Sequence, residues 1–223
     1  MKTAQLYFED GTKFIGQVFA QGQDCSGEVI FNTAMSGYQE VLTDPSYFGQ
    51  MVLMTYPLIG NYGINDEDVE SRKIFLKALL VKEYIDFPSN WRSQKSLKQY
   101  LEEHNTLGIE GFDTRAITRY LRSKGSQKAI LDTTNSSETE LIKKLNNVPS
   151  IAGKDSVKEV TCSSSYVFTE GYEVKNKYKI AVIDCGIKYN ILRHLIKLGC
   201  ECTVFPASVK ASEILNSNFD GVF

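Results

Sequence analysis

Residues 29–63 read VIFNTAMSGYQEVLTDPSYFGQMVLMTYPLIGNYG, in which turn-forming and polar residues interrupt strand-like runs where no simple core requires them. Val29 to Asn32 and Met51 to Tyr56 read as strands, Asp44-Pro45-Ser46 as a turn between them, and Pro57 as the end of the second run. Ser46 follows Asp44-Pro45 and precedes Tyr47, so a rigid turn presents its hydroxyl. From the residues alone, a turn serine that bonds its own backbone is favoured over one that touches a ligand.

Outward from this stretch the pattern is β-rich. Ala4 to Phe8 and Lys13 to Ala20 flank an Asp10-Gly11 turn, and Phe14, Gly16, Val18 and Ala20 alternate with Ile15, Gln17 and Phe19. Lys73 to Tyr84 fits both periods, with a strand favoured from Lys77. Helices are expected over Ser96 to Glu103, Thr114 to Lys124 and Glu138 to Leu145. Asp113 and Ser137 are N-caps and Gly125 is a C-terminal stop. Ala129 to Asp132 returns as a strand.

From Pro149 to Lys177 neither period lasts, and the stretch reads as an extended connector between folded units. Beyond it a strand (Lys179 to Asp184), a helix (Tyr189 to Leu198), a strand (Glu201 to Phe205), a helix (Ser208 to Leu215) and a strand from Gly221 open a parallel α/β domain. The expected organisation is 1–150, a connector at 151–177, and 178–223. The last piece offers only two helices to a sheet that needs both faces covered, so it is expected to be incomplete.

With 223 residues and 42% hydrophobic composition, the chain has enough apolar surface for two cores. Lys plus Arg at 25 against Asp plus Glu at 27 leaves a formal charge of -2, no field for nucleic acid or anionic membrane. No run nears the roughly 18 apolar residues of a membrane span, and acids interrupt the N-terminus before a secretory segment forms, so a cytoplasmic chain is expected. Cys25, Cys162, Cys185, Cys200 and Cys202 are odd in number and lack paired spacing, which predicts reduced thiols.

Cys185 stands at the carboxyl end of a parallel strand, where ligands collect in such sheets. A nucleophile elbow needs small neighbours on both sides, yet Asp184 precedes it, so a buried cysteine packing as a small hydrophobe is favoured. Gly186 serves the strand-to-helix turn; amides at the helix start there could face an anion, but chain geometry alone is the favoured reading. His194 lies with Asn190, Arg193 and Lys197 on a polar helix side opposite Ile191, Leu192, Leu195 and Leu198, and His104 reads as a helix end. Cys200 and Cys202 share one strand face and are expected to pack in a core, with no metal assigned. Arg115, Arg119 and Arg122 recur at helical spacing, either solvated or facing an acidic partner.

FNTAMSGYQEVLTDPSY and TYPLIGNYG, with Gly111-Phe112-Asp113-Thr114-Arg115 and the run from Asp184 to Arg193, resemble the small, glutamine-using subunit of carbamoyl-phosphate synthase, collinearly along the whole chain. The resemblance implies a β-rich α/β N-terminal domain followed by the beginning of a parallel, flavodoxin-like class I glutamine amidotransferase domain. It implies that Ser46 binds glutamine, and that the nucleophilic cysteine lies further along than Phe223, so that this stretch alone has no glutaminase turnover. That family often has an aromatic residue where this chain has Cys185. The implied partner is a large subunit carrying ATP and magnesium, which makes carbamoyl phosphate from bicarbonate for pyrimidine and arginine synthesis. No cofactor is expected in this chain itself. The rival readings are a non-catalytic docking fragment, another glutamine amidotransferase, and a response-regulator-like binding domain; the long N-terminal domain disfavours the last two.

Overall fold

Lys13–Ala20 alternates because one side of it enters a closed barrel. A computed structural model describes residues 2–151, 153–169 and 177–223, which divide into a unit at Met1–Lys154 and a unit at Asp155–Phe223. The first unit runs β1 (Thr3–Phe8), β2 (Lys13–Ala20), β3 (Cys25–Asn32), α1 (Tyr38–Thr43), a 3-10 turn (Pro45–Tyr47), β4 (Met51–Met54), β5 (Leu58–Ile59), β6 (Ala78–Leu80), β7 (Glu83–Tyr84), α2 (Leu97–Glu103), β8 (Leu107–Glu110), α3 (Thr114–Lys124), β9 (Gln127–Asp132) and α4 (Glu138–Asn146).

The barrel order is β1-β2-β8-β6-β4-β3-β9. Parallel pairs join β3, β4, β6 and β8, and antiparallel pairs complete the circuit. Closure leaves no open edge. One face of every strand meets in a single core, from Leu6 and Phe8 through Met51, Leu53, Leu80 and Ile109 to Leu131, joined by Ile117 and Leu121 of α3. The other face of β4, Val52 and Met54, packs in a second core with Tyr38 and Leu42 of α1 and Leu97 and Leu101 of α2. That double burial makes β4 read as a continuous apolar run.

Local signals place several boundaries. Asp113 Oδ1 accepts from the Ala116 N–H at 2.9 Å, Gly125 follows α3 with φ 81, and Ser96 and Ser137 each form a capping box. Other boundaries move. β3 starts at Cys25, and β4 stops at Met54 rather than Tyr56, because the chain must turn into β5. Helix α1 was not anticipated: six residues between Gly37 and Pro45 show no usable period, and its first amides are capped from elsewhere in the chain.

The second unit contains α5 (Val157–Val160), β10 (Tyr166–Phe168), β11 (Tyr178–Asp184), α6 (Tyr189–Lys197), β12 (Cys200–Pro206), α7 (Ala211–Leu215) and β13 (Gly221–Val222). Its sheet order is β10-β12-β11-β13, with β11 parallel to β12 and β13, and β10 antiparallel to β12. Residues 155–169 of the expected connector therefore supply an edge strand, with Cys162 and Phe168 in this unit's core. Residues 170–176 of that stretch lie outside the described residues.

Candidate functional site

The two motif-bearing stretches interlock. The Tyr38 and Tyr62 rings stack at 4.1 Å, and the Tyr62 hydroxyl accepts from the Gly37 N–H at 2.6 Å and the Tyr38 N–H at 2.8 Å. A tyrosine from one stretch thus satisfies the first amides of the helix formed by the other. In return the Tyr38 hydroxyl donates to the Gly63 carbonyl at 2.8 Å. The Asn65 N–H donates to Gln39 Oε1 at 3.0 Å, and Gln39 Nε2 donates back to the Asn65 carbonyl. Burial above all pushes the Tyr62 phenol up to about 12, so it stays protonated at neutral pH.

This platform carries the Ser46 turn. Asp44 Oδ1 accepts from the Ser46 N–H at 2.8 Å, and Pro45 is buried beneath it. The carboxylate, rather than the serine, does the capping, and the Ser46 side chain is exposed. Tyr47 packs against the outer core, and its hydroxyl accepts from Asn32 Nδ2 at 3.0 Å. Downstream, the Gly49 N–H reaches the Phe75 carbonyl at 3.3 Å.

In the second unit, β11 ends in a different local device. Asp184 is buried, and its Oδ1 accepts from the Gly186 N–H at 2.8 Å and the Ile187 N–H at 2.9 Å, while Oδ2 accepts from the Cys162 N–H at 2.7 Å. The amides of this turn are met by the chain's own carboxylate, in line with the chain-geometry reading of Gly186. Gly186 adopts φ 100, a left-handed conformation that favours glycine.

A family model described as the carbamoyl-phosphate synthase small chain, CPSase domain, matches residues 6–131. The chain belongs to this family. A class-I glutamine amidotransferase model matches residues 181–223. The carbamoyl phosphate synthase small chain of Syntrophotalea carbinolica is 47% identical over 99% of this chain and 61% of its own length. That of Aquifex aeolicus is 43% identical over 100% of the chain and 62% of its own length. That of Clostridium perfringens is 46% identical over 99% and 61%. The chain thus spans about three fifths of these small-chain relatives.

Of the remaining positions of this small-chain family member, Cys185 and Leu198 differ from sequence expectation. Cys185 is exposed, not buried, because Asp184 takes the inward position before it. Leu198 is 74% exposed, since it follows the end of α6, and Ile196 takes its place in the core with Leu192. Cys200 and Cys202 are both buried together, and burial, then Cys200, pushes the Cys202 thiol up to about 11. His194 and His104 are exposed, as are Arg115, Arg119 and Arg122. Ser46 and Cys185 belong to different units. The small-chain reading did not single out Asn32, Tyr62 or Asp184; for Asp184 the signal was available, as Asp two residues before Gly marks a side chain that bonds its own turn.

Glu40 of α1 is the stressed group on the platform. Its Oε2 is buried without a hydrogen-bond partner among the described residues. Burial foremost, helped by the Asp68 and Glu70 carboxylates, raises its carboxyl above the usual range against the pull of its own N–H and of Arg92. A raised folded-state value means the folded chain holds this proton more tightly than the unfolded chain. The group's stabilising contribution is therefore present below about pH 4 and is lost as pH rises through the folded value. Glu40→Gln removes the buried charge, so the variant should melt above wild type at pH 7, with the gap closing towards pH 4. Thermal melts across that range check it, and a gap independent of pH would refute the assignment.

Proposed function

We propose that this chain serves as the small, glutamine-hydrolysing subunit of carbamoyl-phosphate synthase, a ligase. The observation that carries this reading is the succession within one chain of a small-chain domain at 6–131 and a class-I amidotransferase segment at 181–223. In this reading a cysteine thiolate, activated by histidine and glutamate, attacks the glutamine side-chain amide carbon. Ammonia leaves, and water then splits the thioester to release glutamate and regenerate the thiol. None of these three groups is assigned within residues 1–223. Cys185 in particular is exposed, and Asp184 stands before it where a nucleophile elbow needs a small residue.

Ser46 is proposed to bind glutamine through its exposed hydroxyl. The released ammonia passes through protein to a large subunit, where ATP, magnesium and bicarbonate give carbamoyl phosphate for pyrimidine and arginine synthesis. Shielding matters because protonated ammonia has no lone pair for attack. The proposal puts the reaction in the cytoplasm.

The test uses the complete small chain assembled with its large subunit. Ser46→Ala should raise KM for glutamine about 10-fold, the scale of a lost hydrogen bond to an ionised ligand, with a smaller change in kcat. Synthesis from added ammonia, which bypasses glutamine, should hold. An unchanged KM removes Ser46 from the site.

A further inference from the structure

If Ser46 contacts glutamine, as proposed above, its position must be fixed, and a 3-10 turn of three residues has little stiffness of its own. Asp44 holds the start of the turn through the Ser46 N–H. The other hold comes from the barrel wall. Asn32 is the last residue of β3, and its Thr55 neighbour donates an N–H to the Asn32 carbonyl at 3.0 Å, which continues the β3–β4 ladder. Asn32 Oδ1 accepts from the Ala34 N–H at 2.7 Å, and Nδ2 donates to the Tyr47 hydroxyl at 3.0 Å. The two bonds orient the amide, because turning it over would set its NH2 against the Ala34 N–H. The Tyr47 ring is meanwhile wedged against the outer core, and Ser46 is the next residue along the backbone.

We propose that the Asn32–Tyr47 hydrogen bond is a strut that sets the place of the Ser46 hydroxyl, making Asn32 and Tyr47 positioning residues for glutamine binding. Neither touches the substrate; both act through Ser46. The physical basis is that a hydrogen bond weakens steeply once distance or angle departs from its narrow range, so a turn free to rock loses affinity without losing its chemistry.

The test measures glutamine KM and kcat in the complete small chain assembled with its large subunit, with thermal melts of each variant. Tyr47→Phe and Asn32→Ala should each raise KM about 2- to 10-fold with kcat nearly constant. Asn32→Asp should restore near-normal KM: its carboxylate still accepts from Ala34, and the Tyr47 O–H can reverse and donate to it. In a Ser46→Ala background, Tyr47→Phe should add nothing, as expected of residues acting as one unit. If Ser46→Ala raises KM while Tyr47→Phe and Asn32→Ala leave it unchanged, the strut is refuted and the Ser46 reading stands. If Tyr47→Phe raises KM equally with and without Ser46, the strut is refuted as well. If Ser46→Ala itself has no effect, the site reading fails and takes this inference with it.

Discussion

Asp184→Ala should unfold the second unit selectively, with a loss of about 3–5 kcal/mol. Three backbone N–H groups, those of Cys162, Gly186 and Ile187, lose one shared acceptor. Hydrogen bonds to a charged group contribute about 1.5–3 kcal/mol each, and their sum is reduced because all three depend on one side chain. The Cys162 amide is itself in the core, so after truncation it faces an apolar environment with no replacement. Asp184→Asn keeps one acceptor oxygen and should lose about half as much. Hydrogen exchange resolved by peptide is the measurement. Amides of β11 and β12 should lose protection while those of β4 keep theirs. Equal protection in wild type and Asp184→Ala would show that the carboxylate does not hold this turn.

Gly60→Ala should destabilise the first unit by about 2–5 kcal/mol, from left-handed backbone strain of about 1–2 kcal/mol and overpacking of about 1–3 kcal/mol. Gly60 lies in the TYPLIGNYG stretch with φ 103, and a methyl group there would stand 2.6 Å from the Ile85 carbonyl oxygen and 2.8 Å from the Tyr84 ring. Neither neighbour yields easily. The Ile85 N–H is bonded to the Ile59 carbonyl at 2.8 Å, and the Tyr84 ring is stacked on Phe19 at 4.3 Å. The added methyl must therefore pry β5 from β7 and shift Tyr62, which caps α1. Gly49→Ala provides the comparison, since its φ is 77 but nothing lies within 4 Å of the added carbon. It should lose only the backbone part, about 1–2 kcal/mol. Denaturant unfolding of both variants separates the two contributions, and similar losses would show that the close approach at Gly60 is unimportant.

Much of the second unit could be read from residues, because strand, helix and strand follow one another there with clear changes of period. The same holds for α3 and α4, whose caps at Asp113 and Ser137 act within three residues of themselves. Helix α1 was hidden because the oxygen that caps it belongs to Tyr62, more than 20 residues away. The exposure of Cys185 is hidden for a related reason: alternation along β11 shows which residues share a face, but not that Asp184 is drawn inward by three amides. At the candidate site, the turn at Ser46 is legible in its own residues, whereas Asn32 is an ordinary strand end in sequence and only its contact with Tyr47 sets it apart.

By itself the sequence determined the longer strands at the start of the chain, the boundaries of the longer helices, the strand–helix alternation from residue 178 onward, the motif-bearing turn and the family resemblance. These depend on period, capping and turn chemistry, which act over a few residues. Only the tertiary structure decided that seven strands close into a barrel, with β1 pairing β9 at Gln5 and Asp132, that one tyrosine caps a distant helix, and that another accepts a hydrogen bond from Asn32 at the end of β3. Such contacts join residues that the chain brings together only after its loops have closed, so no local pattern carries them.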